Sequence, residues 1–190
     1  MTRIIAGIHR GRRIETPPGD RTRPTSDRVR ESLFGSLQAM VDLDGAAVLD
    51  LYAGSGAVGL EAASRGASPV VLIESHAKTV GLLRRNIATL GLGARVSVTA
   101  GAIPQVLRQR PPRRFDVVFA DPPYALDNAA LATTLSTLVE FDWLAEEADV
   151  IVERATRGGA PDWPEGIEGL RSRRYGESTL WYGRGLWTQR

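Results

Sequence analysis

The tetrapeptide Asp121-Pro122-Pro123-Tyr124 ends an apolar run of strand length, Phe115-Ala120, and its residue types suit one difficult reaction. An exocyclic amine on a nucleobase is a poor nucleophile because its lone pair is delocalised into the ring. Two acceptors that grip both amine hydrogens hold the nitrogen toward tetrahedral geometry and localise the lone pair for attack. The Asp121 carboxylate and the Pro122 carbonyl can form such a pair, which makes Asp121, Pro122 and Tyr124 the candidate catalytic residues. The prolines fix the backbone, so the acceptors are preorganised toward the charge that develops on nitrogen. Tyr124 offers a face for an extruded base. Such stacking contributes about 1 to 3 kcal/mol, comparable to the cost of flipping a nucleotide.

A second cluster, Val48-Leu49-Asp50-Leu51-Tyr52-Ala53-Gly54-Ser55-Gly56-Ala57-Val58-Gly59, runs from an apolar strand through a glycine-rich turn into a helix. Gly54 to Gly59 satisfy the GxGxxG spacing of dinucleotide-binding loops, and Glu74, at the end of the next strand, stands where a ribose-binding acid belongs. Charge separates the two ligand classes. A dinucleotide brings an anionic pyrophosphate to the helix N-terminus, and Asp50 at the strand tip opposes it. The sulfonium and ammonium of S-adenosylmethionine suit a carboxylate there, directly or through water. Glu74 then accepts hydrogen bonds from both ribose hydroxyls. The expected cofactor contacts are Asp50, Tyr52, Ala53, Gly54, Ser55, Gly56, Glu74, Ser75 and Asp121. A dinucleotide-dependent oxidoreductase is the alternative on the glycine loop alone; it leaves Asp50 and the Asp121 motif without a task.

Composition narrows the chemistry further. The chain has no cysteine, which excludes disulfides, a thiolate zinc site and a cysteine nucleophile. Methylation at C5 of cytosine, which needs a covalent cysteine adduct, is thereby disfavoured, and the acceptor is an exocyclic nitrogen. His9 and His76 form no metal-binding spacing, so no metal is expected. The chain has 190 residues, 43% of them hydrophobic and 24% charged, as in one soluble domain. No apolar run is long enough to span a bilayer and no signal peptide opens the chain. A cytoplasmic monomer without membrane contact is the expectation.

Charge is unevenly spread. Residues 1–30 hold eight arginines against three acids, residues 154–190 seven against four, and residues 31–153 have nine bases against fifteen acids. Clustered arginines suit a nucleic-acid backbone, and a solvated basic face fits equally well on charge alone.

These residues need a scaffold, and the pattern supplies one. Apolar runs at Ala46-Leu51, Pro69-Glu74, Arg95-Thr99, Phe115-Ala120 and Asp149-Glu153 predict strands buried on both faces. Val58-Arg65, Ala77-Leu90, Pro104-Arg108 and Ala129-Val139 carry helical spacing between them, giving a parallel sheet with crossover helices. A helix capped by Thr25 or Ser26 and running to Met40 buries Val29, Leu33, Phe34 and Leu37. Residues 1–16 predict two short strands around a projecting basic turn, and Leu170-Tyr175 with Thr179-Gly183 predict a closing hairpin.

Taken together, the chain resembles the bacterial small-subunit ribosomal RNA guanine-N2 methyltransferases of the RsmD type. The likeness rests on Arg3-Ile4-Ile5-Ala6-Gly7 with Gly11-Arg12, on Arg23-Pro24-Thr25-Ser26-Asp27-Arg28-Val29-Arg30-Glu31-Ser32-Leu33-Phe34, on Asp50-Leu51-Tyr52-Ala53-Gly54-Ser55-Gly56 and on Asp121-Pro122-Pro123-Tyr124. The last two blocks are common to many amino-methyltransferases and the first two narrow the choice. The resemblance implies an α/β, Rossmann-like class I methyltransferase fold, with a mostly parallel seven-stranded sheet, helices on both faces and an N-terminal β-hairpin extension over residues 1–20. Residues 21–190 then form the methyltransferase domain. It further implies S-adenosylmethionine as cofactor and guanine 966 of 16S ribosomal RNA, within a partly assembled 30S subunit, as substrate. Thr25 joins the cofactor contacts. Where such enzymes often carry an aspartate for the adenine amino group, this chain reads Thr99-Ala100-Gly101-Ala102-Ile103, so backbone at Gly101 or Ala102 is the expected contact. Arg3, Arg10, Arg12, Arg13, Arg23 and Arg28 are the candidate nucleic-acid contacts, while Arg84, Arg85, Asn86 and His76 are assigned to surface or structure. Amino-methylation of another RNA or of DNA, at adenine N6 or cytosine N4, and a non-catalytic RNA-binding role stay open on the residues alone.

Overall fold

A computed structural model describes residues 2–18 and 27–186. Arg23, Thr25 and the expected caps of the first helix lie outside the described residues. The chain divides into two compact units, Met1–Gly101 and Ala102–Arg190.

The first unit is built on three parallel strands, β3 (Val48–Leu51), β4 (Val70–Glu74) and β5 (Val96–Ala100), in the order β5-β4-β3. All four residues of β3 are buried, as Val48, Leu49 and Leu51 predict for a strand covered on both faces, with Asp50 the one polar residue enclosed among them. Two helices connect the strands, α2 (Ala57–Ser64) and α3 (Ala77–Leu90). Every residue of α2 is buried. α3 buries one stripe, including Val80, Leu83, Ile87 and Leu90. The preceding helix, α1 (Asp27–Gln38), buries the expected Val29, Leu33, Phe34 and Leu37 and stops two residues short of Met40.

The N-terminal strands β1 (Thr2–Arg3) and β2 (Arg13–Ile14) pair antiparallel, yet the hairpin does not project. It lies along α2, with Ile4 and Ile14 buried. The Ile5 and Ala6 amides donate to the Glu61 carboxylate at 2.7 and 2.9 Å, and the Ile8 amide donates to the Ser64 carbonyl at 2.8 Å. Ser64 Oγ accepts from the His9 amide at 3.0 Å and donates to the Ala6 carbonyl at 2.6 Å. Backbone donors leaving a two-residue ladder must find acceptors, and α2 provides them. Glu61, fully enclosed, also takes the Arg65 guanidinium at 2.9 Å. Arg30 is equally enclosed and donates to Thr2 Oγ1, the Arg3 carbonyl and the Asp27 carboxylate at 2.9, 2.9 and 2.6 Å. It joins α1 to β1 and is therefore withdrawn from the basic surface that the arginine count suggests.

The second unit carries β6 (Phe115–Ala120), β7 (Leu144–Ala155), β8 (Ile167–Tyr175) and β9 (Ser178–Gly185) in the order β6-β7-β9-β8. β6 and β7 are parallel, and β9 pairs antiparallel with both β7 and β8. Besides the two hairpin strands, the described residues form seven strands, three in the first unit and four in the second. β7 begins five residues before the expected Asp149, because its polar first half, with exposed Glu146 and Glu147, hides the strand from a search for apolar runs. Helix α4 (Asn128–Glu140) starts at Asp127, whose carboxylate caps the Ala130 amide at 2.8 Å. The helix expected over Pro104-Arg108 is a single 3₁₀ turn, Gln105–Leu107, with Leu107 alone buried. One buried side chain is too little to hold a longer helix. The turn is anchored instead by Trp143, whose indole N–H donates to the Leu107 carbonyl at 2.9 Å while its ring stacks on Phe115 at 5.8 Å.

The Glu61 carboxylate gives a direct test of hairpin docking. Glu61→Ala strands two backbone donors and the Arg65 guanidinium, and is expected to cost about 3 kcal/mol. The check is the urea midpoint; a shift equivalent to less than about 1 kcal/mol would contradict the assignment.

Candidate active site

Asp50 lies on β3, two residues from the turn, and is 2% exposed. Its Oδ2 accepts from the Gly59 amide at 2.9 Å. Gly59 is the third residue of α2, so its N–H has no intrahelical acceptor, and a carboxylate at this end also meets the positive pole of the helix. The contact demands a glycine: a Cβ at position 59 would stand 2.2 Å from Leu72 Cδ2 and 3.2 Å from Asp50 Oδ2. Burial pushes the Asp50 carboxyl up to about 7, the Gly59 hydrogen bond pulls it down, and the Glu74 charge pushes it up.

Between strand and helix the glycine turn is held from several sides. Tyr52 adopts φ 59°, a left-handed conformation that costs a non-glycine residue of order 1 kcal/mol. The Ala53 amide donates to the Ile73 carbonyl at 2.9 Å, and the Gly54 amide donates to Glu74 Oε2 at 3.0 Å. The other oxygen of Glu74 takes the His76 amide at 2.8 Å. Thus Glu74 is fixed against the turn with lone pairs left on both oxygens. Gly101 donates its amide to the Glu74 carbonyl at 3.0 Å. The glycines of the turn differ in task. A Cβ on Gly56 would meet Leu83 Cδ2 at 2.7 Å, whereas one on Gly54, at φ 55°, would point into open space with only the Tyr52 carbonyl at 4.0 Å. Gly54 is where a ligand can approach the backbone; Gly56 and the buried Ser55 face inward. Asn86, 3% exposed, holds the turn from below, donating to the Ser55 carbonyl at 3.1 Å and the Glu15 carbonyl at 2.9 Å. Ser75 and His76 are exposed at the head of α3, and Ala102 is exposed at the start of the second unit.

In the second unit Asp121 follows β6 directly. Ala120 is in register with Val152 on β7, so Asp121 and Glu153 stand side by side at the carboxyl ends of parallel strands, where α/β proteins bind ligands. Both line a pocket that also includes Pro122, Tyr124, Arg154 and Arg157. Pro122 is buried, while Tyr124 is 62% exposed at the rim. The loop beyond is secured by the Leu126 amide on the Pro123 carbonyl at 2.8 Å and by Arg154, which bonds Asn128 Oδ1 and the Leu126 carbonyl. Glu153, Arg154 and Arg157 escaped the sequence reading. Glu153 carries the signal that marks Asp50 and Glu74, an acid at the end of an apolar strand.

The basic residues divide. Arg10, Arg13 and Arg28 are exposed; Arg3 is exposed and pairs with Asp27 at 3.5 Å. Arg12 donates to the Thr89 carbonyl at 2.7 Å, tying the hairpin to the end of α3. Arg84 and Arg85 are exposed as expected, Arg85 pairing with Glu15 at 3.0 Å.

A family model described as Conserved hypothetical protein 95 matches residues 2–184. Ribosomal RNA small subunit methyltransferase D of Escherichia coli (strain K12) is 41% identical over 162 residues, covering 85% of this chain and 79% of that protein. Its namesake in Haemophilus influenzae is 36% identical over 153 residues, 80% of this chain and 77% of that protein. The solved structure of Escherichia coli yhhF matches with a TM-score of 0.86 and 34% identity over 98% of both chains. The α/β, Rossmann-like fold class is thereby shown.

Asp50 predicts a pH dependence. Its folded pKa of about 7 lies above the usual 3.8, so the native state binds the extra proton between those values, and stability falls as pH rises from about 4 to about 7 and levels off beyond. Asp50→Asn retains an acceptor for the Gly59 amide and removes the titration. The variant is expected to lose less stability than the parent between pH 4.5 and pH 8 in urea titrations, and equal slopes would contradict the burial argument.

Proposed function

The chain belongs to the Conserved hypothetical protein 95 family, and from that premise we propose that it is a methyltransferase acting on the exocyclic N2 of a guanine in 16S ribosomal RNA, with S-adenosylmethionine as donor. The two relatives named ribosomal RNA small subunit methyltransferase D support the substrate class. Guanine 966, in a partly assembled 30S subunit, is the target that the resemblance implies.

The residues of the first unit fit the donor. The open face at Gly54 admits a ligand to the backbone, the Glu74 carboxylate has acceptors for two ribose hydroxyls, and Asp50 sets the turn from behind. Asp50 is a positioning residue here, acting through Gly59 rather than by touching ligand. When bound, the donor supplies an electrophilic methyl on its sulfonium. Ala53, Gly54, Glu74 and the backbone at Gly101 would hold it, with Tyr52 and Ser75 beside them.

One observation carries the acceptor side: Asp121 and Glu153 line the same pocket, beneath an exposed Tyr124. Guanine presents two adjacent donor groups, the N2 amine and N1–H. Adenine and cytosine present one amine flanked by a ring-nitrogen acceptor, which a second carboxylate would repel. Paired carboxylates therefore favour guanine. In this reading Asp121 and the Pro122 carbonyl each accept an N2 hydrogen, Glu153 accepts N1–H, and Tyr124 stacks on the ring. As N2 becomes tetrahedral its acidity rises, and the Asp121 carboxylate is placed to take the proton released.

Two variants test this. Asp121→Ala is expected to lower kcat by about 100-fold or more while RNA affinity stays within about twofold; retained transfer of labelled methyl would overturn the mechanism. Replacing the target guanine by 2-aminopurine keeps the N2 amine and removes N1–H. The parent should prefer guanine by about tenfold or more, and Glu153→Gln should shrink that preference to a few-fold. Equal preference in both proteins would remove Glu153 from base recognition, and mass mapping of the product identifies the methylated nucleotide.

A further inference from the structure

The strand β8 has a burial pattern unlike any other in the chain: Ile167 is buried and every residue from Glu168 to Arg174 is exposed. It is an edge strand, paired on one side only, with β9. Resting on the methyltransferase reading above, we propose that Arg171, Arg173 and Tyr175 of β8, together with Arg157, form a track for the single-stranded RNA flanking the target nucleotide. The arginines would contact phosphates, and Tyr175 would stack a neighbouring base.

Register places this stripe. Arg173 pairs with Leu180, which pairs with Glu153; Tyr175 pairs with Ser178, which pairs with Ala155. In-register neighbours share a face of a sheet. Glu153, Ala155 and Ser178 all line the pocket that holds Asp121. The row from the pocket outward therefore ends on Arg173 and Tyr175, with Arg171 one step further along the strand. A bulge creates this arrangement. The register slips between Gly169 and Arg171, so that Leu170 has no partner; without the extra residue, Arg171, Arg173 and Tyr175 would fall on the opposite face.

The side chains are prepared for the task. The Arg171 guanidinium lies 4.5 Å from the centre of the Tyr182 ring, and that of Arg173 lies 5.4 Å from the centre of the Tyr175 ring. A guanidinium held over an aromatic ring keeps donors for a phosphate and loses less freedom on binding. Arginine beside a half-buried aromatic such as Tyr175 offers single-stranded nucleic acid a phosphate contact on one and a base contact on the other. Between Arg171 and Tyr175 this face of β8 carries no acid, Glu168 and Asp149 lying on the far side of Arg171 from the pocket, and Arg157 lines the pocket itself. Arg174 points the other way, in register with Thr179 and donating to the Gly176 carbonyl at 2.9 Å, which makes it an internal control.

The test measures filter binding of a 16S ribosomal RNA fragment containing the target, and methyl transfer to it, over a range of salt concentrations with the full chain. Arg171→Gln with Arg173→Gln should raise Kd and KM about tenfold, leave kcat within about twofold, and flatten the log–log salt slope by about 1.4, the value for two phosphate contacts on a single strand. Lysines at both positions should restore most of the slope, which separates lost charge from any unfolding caused by uncovering Tyr182. Tyr175→Ala should weaken binding about tenfold without changing the slope. Arg174→Gln should change neither quantity. An unchanged Kd and slope in the double glutamine variant, or an equal loss in Arg174→Gln, would overturn the track and leave these arginines as guards of an edge strand. If the parent binds the fragment yet methylates no RNA, the methyltransferase reading fails while the binding series still decides the track.

Discussion

A carboxylate enclosed at the end of a parallel strand has to find a hydrogen-bond donor, and Asp50 finds it in the Gly59 amide. That one bond fixes the end of β3 to the first turn of α2, so the residues between have a set span in which to turn. The left-handed Tyr52 and Gly54, and the Cβ-free contacts of Gly56 and Gly59 with Leu83 and Leu72, are the geometric result. Position then propagates along α2. Arg30 reaches the Ala57 carbonyl at its start, and Glu61 and Ser64 take the backbone of the N-terminal hairpin farther along. The helix that borders the glycine turn is thus also the platform for the hairpin, Thr2–Ile14.

The same device recurs with different outcomes. Asp50, Glu74, Asp121 and Glu153 each stand at or just beyond the carboxyl end of a parallel strand. Asp50 is sealed and pushed toward neutrality. Glu74 is half-exposed and spends its oxygens on the turn while keeping lone pairs outward. Asp121 and Glu153 share a pocket. Acids at strand ends favour ligands that bring cations or N–H donors, and exposed arginines stand on the hairpin, α1, α3 and β8, with Arg157 at the pocket that holds Asp121.

Much of this was legible before any coordinates. The strand Phe115–Ala120 and helix Ala77–Leu90 are legible to the residue, because the apolar run Val117–Ala120 behind Phe115 and a clean helical stripe each have one reading. The glycine turn was legible for a similar reason, since its acid and glycines are meaningful only together. Other features depend on partners far away in sequence. Arg30 counts as surface charge in a string of letters and becomes a buried cross-brace only through Thr2, Arg3 and Asp27. Glu61 left a trace, as the lone charge in the apolar segment Ala57–Ser64, but nothing local names its partners. The β8 stripe was hidden by its bulge, since alternation counted from Ile167 assigns its arginines to the wrong face.

The docking of the hairpin also orders events in time. Its own ladder, Thr2 with Ile14 and Arg3 with Arg13, can close as soon as those residues exist. Its seat cannot. The acceptors for Ile5, Ala6 and His9 lie 55 or 56 positions later in the chain, and the one for Arg12 lies 77 positions later. Bringing such distant partners together carries a loop-closure cost that is met only once the intervening strands and helices have condensed. The hairpin segment is made before its seat and is therefore among the last parts to settle, its arginines undocked until α3 is complete.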